Sequence, residues 1–298
     1  GRERGGWLCD SYFTSQAEQI FAGKGQIEEQ FLKNFTMAKE FPGIPEGLLP
    51  DNYPGELLQV IPQWIMCYIL ELEEYLKRHA YNKEIFRGLC YQFLEYLQDY
   101  KCENRLLKKL EGWNFIEWSE ANQYVEKADI SYPTNMLYAR VLESIGRLYG
   151  DEGLCREAEE LKEQIIRCAF DGKLFCDGAV WNGTAYVNMQ EISEACQYYA
   201  VFCGIAGEED GRFQQFYKWI LDILGYRRKK QEGYPEIAYS NLFIGMTLRF
   251  ECLHRLGRYE QLLEEMKEYY LHMADTTNTL WEHDSPVASL NHGLSSVA

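Results

Sequence analysis

The chain is short of positive charge. Its 298 residues include 30 lysines and arginines against 46 aspartates and glutamates, a formal charge of −16. A nucleic-acid surface needs clustered Lys and Arg facing phosphate, so that class of partner is excluded. The same acidity disfavours polyanionic substrates. The one basic run, Arg227-Arg228-Lys229-Lys230, is expected to be a solvated loop. No apolar stretch is long enough to span a bilayer, so no membrane association is expected. There is no Cys-x-x-Cys pair and no Cys/His cluster at zinc spacing, and no metal ligand set is expected. Residues 204–211 lack the lysine of a phosphate loop, so no nucleotide or other cofactor is expected. No fixed-length repeat recurs, which sets aside a 34-residue solenoid.

What remains is apolar, aromatic and helical. A hydrophobic content of 46% over this length suffices for a full core. Aromatics reach 15%, with Tyr the most abundant, which serves core filling and would also serve a carbohydrate site. Of ten cysteines, Cys67, Cys90, Cys196, Cys203 and Cys252 fall inside apolar helical runs, where a free thiol behaves as a small hydrophobe. Reduced thiols and a cytoplasmic location are the expectation.

Apolar residues spaced three and four apart mark helix after helix. Tyr259, Leu262, Leu263, Met266, Tyr269, Tyr270 and Met273 form one face, with Gly257 before it. Thr134 is expected to cap a helix whose face is Leu137, Val141, Ile145 and Leu148. Leu57, Leu58, Ile61, Trp64, Ile65, Tyr68, Ile69, Leu72 and Leu76 form a broader stripe. Further helices are expected over about 15–21, 27–39, 82–101, 117–125, 152–168, 190–205, 210–224 and 237–256, and a cut-short closing helix from 289 to 298. Residues 173–188 read as a short hairpin or an irregular loop, and 41–55 as the longest loop. No linker divides the chain, so a single all-α domain over 1–298 is expected.

The two ends carry the chemistry. The chain opens with Arg2-Glu3-Arg4-Gly5-Gly6-Trp7-Leu8-Cys9-Asp10. Near its close stand Thr279-Leu280-Trp281-Glu282-His283-Asp284 and Ser289-Leu290-Asn291-His292-Gly293. Carboxylate, tryptophan and hydrogen-bonding side chains together suit a sugar-cleaving pocket. The ring packs on sugar C–H groups, polar groups fix hydroxyls, and two carboxyls move the protons. An open solenoid would hold the two motifs on the order of 50 Å apart at the usual helix spacing. A closed ring of six helical pairs, an (α/α)6 toroid with its last helix truncated, would bring them together.

Arg2-Glu3-Arg4-x-Gly6-Trp7-x-x-Asp10 resembles the first signature of glycoside hydrolase family 78, the bacterial α-L-rhamnosidases. Thr279-Leu280-Trp281-Glu282 followed by Ser289-Leu290-Asn291-His292 resembles its second, in the same order and over the whole catalytic domain. The resemblance implies inverting hydrolysis of terminal α-L-rhamnose, with a small or oligosaccharide rhamnoside as substrate. It implies Glu3 as general acid and Glu282 as general base. Trp7 and Asp10 would line the sugar subsite, with His292 as a polar contact and Arg2 and Trp281 beside them. Residues 112–120 hold a third aromatic and acidic cluster, in which Trp118 is expected as a sugar-stacking wall. There Glu117 replaces the family's more usual Asp.

Two departures stand out. The family's leading Asp-Cys-Pro is absent, and its accessory β-domains, expected in the parent protein, are not represented. With a motif beginning at its first residue, the chain is expected to be part of a larger protein. Another exo-glycosidase, an unsaturated-sugar hydratase, and a non-catalytic carbohydrate-binding helical domain remain alternatives.

Overall fold

The computed structural model describes residues 5–38, 40–55, 59–285 and 287–292. Among them the chain is mostly helical. In order come α1 (Leu8–Ala22), α2 (Gln26–Met37), α3 (Pro62–Arg78), α4 (Glu84–Gln98), α5 (Glu120–Lys127), α6 (Tyr132–Tyr149) and α7 (Glu152–Ala169), then α8 (Glu194–Phe202), α9 (Gln214–Asp222), α10 (Tyr226–Lys230), α11 (Gly245–Arg255) and α12 (Tyr259–Thr277). Strands are short: β1 (Ile130–Ser131), β2 (Gly178–Trp181) and β3 (Tyr186–Asn188) form an antiparallel sheet, and β4 (Ile192–Ser193) pairs in parallel with β5 (Ile237–Ala238).

The chain forms two compact units. The first falls within Gly1–Phe115 and Leu137–Leu161, the second within Ile116–Met136 and Lys162–Ser296. In the first, α1 packs on α3 through Leu8, Phe13, Ile65, Tyr68 and Leu72, all buried. In the second, α8 packs on α11, whose buried face is Met246, Leu248, Phe250 and Leu253. Each apolar side chain so buried contributes about 1.5–3 kcal/mol before entropy is counted.

Several helix ends lie where local chemistry puts them, inside the expected ranges. The stripe over 57–76 becomes a helix only from Pro62, because proline has no N–H to give and suits a helix's first position. Leu57 and Leu58 lie outside the described residues. The helix expected over 117–125 starts at Glu120, with the Ser119 hydroxyl accepting from the Ala121 N–H. That expected over 190–205 starts at Glu194, because Ser193 caps the Cys196 N–H. Thr134 is not a cap: the Ser131 hydroxyl accepts from the Thr134 N–H, so the helix begins earlier, at Tyr132. Residues 173–188 include the β2–β3 hairpin, whose turn is held by the Asn182 side chain accepting from the Thr184 and Ala185 N–H groups.

Three expectations are corrected. The helix expected over 237–256 forms only from Gly245; β5 and an irregular stretch precede it. Ser240 and Asn241 prefer to bond side chain to backbone, which competes with helix. The basic run is not a solvated loop. It is the short helix α10, and Arg228 is buried, donating to Glu194 Oε1 at 2.8 Å and to the carbonyls of Gly233, Tyr234 and Ile237. The closing helix does not start at Ser289. Residues 289–292 pair with the strand-like segment before them, Glu282 N–H to Ser289 O at 2.9 Å and His292 N–H to Leu280 O at 3.0 Å. Residues 293–298 lie outside the described set.

Candidate active site

Within the second unit three distant stretches converge: 117–119 before α5, 240–244 before α11, and 280–292 after α12. Glu282 is only 5% exposed. The Trp118 indole donates to Glu282 Oε1 at 3.1 Å, and the Ser289 N–H donates to Oε2 at 3.4 Å. His283 faces the half-buried Trp118 ring with centroids 5.6 Å apart. This is a carboxylate held by neutral donors beside an aromatic wall.

The next residue of the loop behaves differently. Asp284 pairs with Lys229 at 3.1 Å, and the His272 ring lies 3.0 Å from its other oxygen. Trp281 is buried, its indole donating to Thr277 Oγ1 at 2.7 Å and its ring edge-on to His272. His292 is also buried, stacked on Phe243 with centroids 6.1 Å apart.

Glu117, next to Trp118, is wholly buried. It accepts from the Ser119 hydroxyl, from the Ser240 hydroxyl at 2.8 Å and from the Asn241 N–H at 3.2 Å. Burial pushes its carboxyl up to about 7, and the nearby Glu194 charge adds to the shift. Gly245 makes room for this contact: a Cβ there would collide with both Glu117 Oε2 and Ser240 Oγ.

The first unit holds the other motif. Arg2 and Glu3 lie outside the described residues. Trp7 bridges Asn52 and meets Trp64 edge-to-face at 5.7 Å; Trp64 in turn meets Phe115 at 5.9 Å. Asp10 lies half-buried in the first turn of α1, where the helix dipole favours a carboxylate. Gly6 is needed for the segment's pairing. Its carbonyl accepts from the Tyr53 N–H at 3.0 Å, and a Cβ would lie 2.6 Å from the Tyr53 oxygen.

Of the sequence-predicted residues, then, Trp118 and Glu282 meet directly, and Trp281 and His292 belong to the Glu282 loop. Ser240, Asn241 and Tyr269 were missed. The signal that would have found them is the adjacent Ser-Asn pair, two residues poorly suited to a helix interior. Among the described residues no group of three or more His, Cys, Asp or Glu side chains is placed to hold a metal, and no helix is long and apolar enough to cross a membrane.

No family model matches the chain, and no curated protein matches it. Solved structures do. It aligns with a glycoside hydrolase family 78 rhamnosidase of Bacillus sp. GL1 at a TM-score of 0.81 and 20% identity, covering 99% of this chain and 31% of that one. With a rhamnosidase from Klebsiella oxytoca, solved with rhamnose bound, the TM-score is 0.71 at 15% identity, covering 99% and 57%. A cellobiose 2-epimerase from Bacillus thermoamylovorans gives 0.61 at 13% identity, covering 98% and 86%. The chain therefore spans about a third of the first of these proteins and just over half of the second. At such identities the likeness is one of fold.

Proposed function

We propose that this chain is the catalytic part of an exo-acting α-L-rhamnosidase, with its helices arranged as an (α/α)6 ring in a single domain. Glu282 acts as general base on the attacking water. Glu3 acts as general acid on the departing oxygen, and the anomeric configuration inverts. Trp118 provides the wall on which the sugar packs. Trp7, Asp10 and Arg2 belong to the same sugar subsite, while Trp281 and His292 hold the loop that carries Glu282. The reading rests above all on one observation: a nearly buried carboxylate, Glu282, bonded by the Trp118 indole at 3.1 Å. A general base must be held toward the attacking water, and a fixed donor such as an indole orients it. The likeness in fold to two rhamnosidases supports the choice of sugar.

The test is hydrolysis of 4-nitrophenyl glycosides by the chain, with the first-formed anomer read by NMR. Turnover of the α-L-rhamnoside above all others, releasing β-rhamnose first, is the expected result. Turnover of another sugar would overturn the rhamnoside assignment. Unchanged rates in both Glu282→Gln and Glu3→Gln would overturn the catalytic one.

A further inference from the structure

Nothing in the motif at 279–293 points to residue 241, yet the Asn241 side chain joins the Trp118, Asp284 and Tyr269 segments around Glu282. Its Nδ2 donates to the Trp118 carbonyl at 2.8 Å. Its Oδ1 accepts from the Tyr269 hydroxyl at 2.6 Å, from the Asp284 N–H at 3.0 Å and from the Leu242 N–H at 2.9 Å. Its own N–H is fixed by Glu117 at 3.2 Å. One carboxamide thus ties the Trp118 segment to the Glu282–Asp284 segment and anchors both on α12 through Tyr269, which is fully buried.

We propose that Asn241 is the positioning residue of this site: its carboxamide sets the separation of the Trp118 indole and the Glu282 carboxylate. The residue type matters. The linkage needs a donor toward the Trp118 carbonyl and, a little over 2 Å away on the same planar group, an acceptor for the Asp284 N–H. Aspartate has the acceptor and lacks the donor. Its second oxygen would face the Trp118 carbonyl, two acceptors with no hydrogen between them. Serine and alanine do not reach. Because the Trp118 carbonyl belongs to the residue that carries the indole and Asp284 lies two residues after Glu282, loosening the carboxamide moves both ends of the indole–carboxylate bond. It acts through Trp118 and Glu282; Asn241 itself need not touch the sugar.

The role as stated in catalysis rests on the proposed hydrolase reading, but the geometry can be tested without it. The chain has seven tryptophans. With ¹⁵N-labelled indoles, the Trp118 N–H resonance is identified by its loss in Trp118→Phe. In the wild type it should lie downfield and shift in Glu282→Gln, since its acceptor changes from carboxylate to amide. In Asn241→Asp it should move toward the position of a free indole and stop responding to Glu282→Gln. Tyr269→Phe, which removes one bond to the carboxamide and keeps the rest, should move it part of the way, and it supplies the answer if Asn241→Asp does not fold. A resonance that stays in place and keeps its response to Glu282→Gln in a folded variant overturns the proposal.

In 4-nitrophenyl α-L-rhamnoside hydrolysis, Asn241→Asp should lower kcat by about a hundredfold with KM within a few-fold, as expected for a misplaced reacting group. A rise in KM alone would mean that Asn241 serves sugar binding, against the proposal. If the wild type turns over no rhamnoside, the hydrolase reading falls while the resonance experiment still decides the role of Asn241.

Discussion

Two groups of buried carboxylates in the second unit have opposite surroundings. Glu194 and Glu265 are each matched by a buried guanidinium, Arg228 Nε at 2.8 Å and Arg249 Nη2 at 2.8 Å. Glu117 accepts from two hydroxyls and a backbone N–H, and Glu282 from an indole and a backbone N–H. Ser240 stands at the border, its N–H donating to Glu194 Oε2 at 3.1 Å and its hydroxyl to Glu117. A guanidinium fixes a carboxylate's charge permanently and makes it useless for proton transfer. Neutral donors orient a carboxylate while leaving its protonation free to change. The arginine-paired group therefore reads as framework, and the group held by the Trp118 indole and the Ser240 hydroxyl is where chemistry is proposed.

The sharpest way to break this contrast is to strip an arginine from the framework. Arg228→Met leaves Glu194 charged and buried, and should lower unfolding free energy by about 3–5 kcal/mol, read as a drop in urea midpoint. A loss under about 1 kcal/mol would mean that the pairing is incidental.

The next contrast is in pH. Glu117 in the fold is raised to about 7, and Asp177, bonded by Ser193, is likewise raised to about 7 by burial. A carboxyl raised on folding adds stability that is complete below its unfolded value. That stability is lost as pH climbs to about 7. Glu73 in the first unit is the reverse. Arg147 at 2.8 Å and the Ser144 hydroxyl overcome its burial and lower it to about 2, so its contribution disappears as pH falls below the unfolded value. Glu117→Gln should remove a loss on the order of 3 kcal/mol across the neutral limb, leaving the part due to Asp177. Glu73→Gln should instead flatten the acid limb. Urea midpoints from pH 3 to 8 check both; parallel profiles in variant and wild type would deny the difference.

Glu282→Gln should separate activity from stability. On the proposed reading of Glu282 as base, kcat on an aryl rhamnoside should fall by at least about a hundredfold. The melting temperature should stay within a few degrees, since glutamine still accepts the Trp118 bond. A framework carboxylate would behave the other way round. The smallest effect is expected at the surface: Arg212 pairs with Glu163 and Asp210 in full view of solvent, and Arg212→Ala should cost under about 1 kcal/mol and weaken further in salt.

How much of this was legible in the sequence depended on how local the cause was. The helical class followed from apolar spacing, as α12 and its face of Tyr269, Tyr270 and Met273 illustrate. Glu282 and Trp118 were singled out by a resemblance of short motifs taken together, and the fold brings their side chains to 3.1 Å. Arg228 did not: a run of four basic residues reads as solvated, and only the fold places Glu194 against it. Asn241 was hidden for a related reason. Its neighbours lie 123, 43 and 28 positions away, and no periodicity within one segment can announce such partners. Thr134 and the start of α11 were misread where a side chain-to-backbone bond nearby, from Ser131 or within the Ser240-Asn241 pair, outweighed apolar spacing.

The bond between Trp118 and Glu282 spans 164 positions of chain. During synthesis, at roughly 5–20 residues per second, the Trp118 segment must wait on the order of ten to thirty seconds for its partner to be made. Through that interval the aromatic wall exists without the carboxylate it serves, exposed to whatever else in the cell favours a tryptophan face. Synthesis interrupted between the two segments leaves the helices that flank Trp118 without the acidic loop that its indole bonds, so scaffold and candidate site are made at different times.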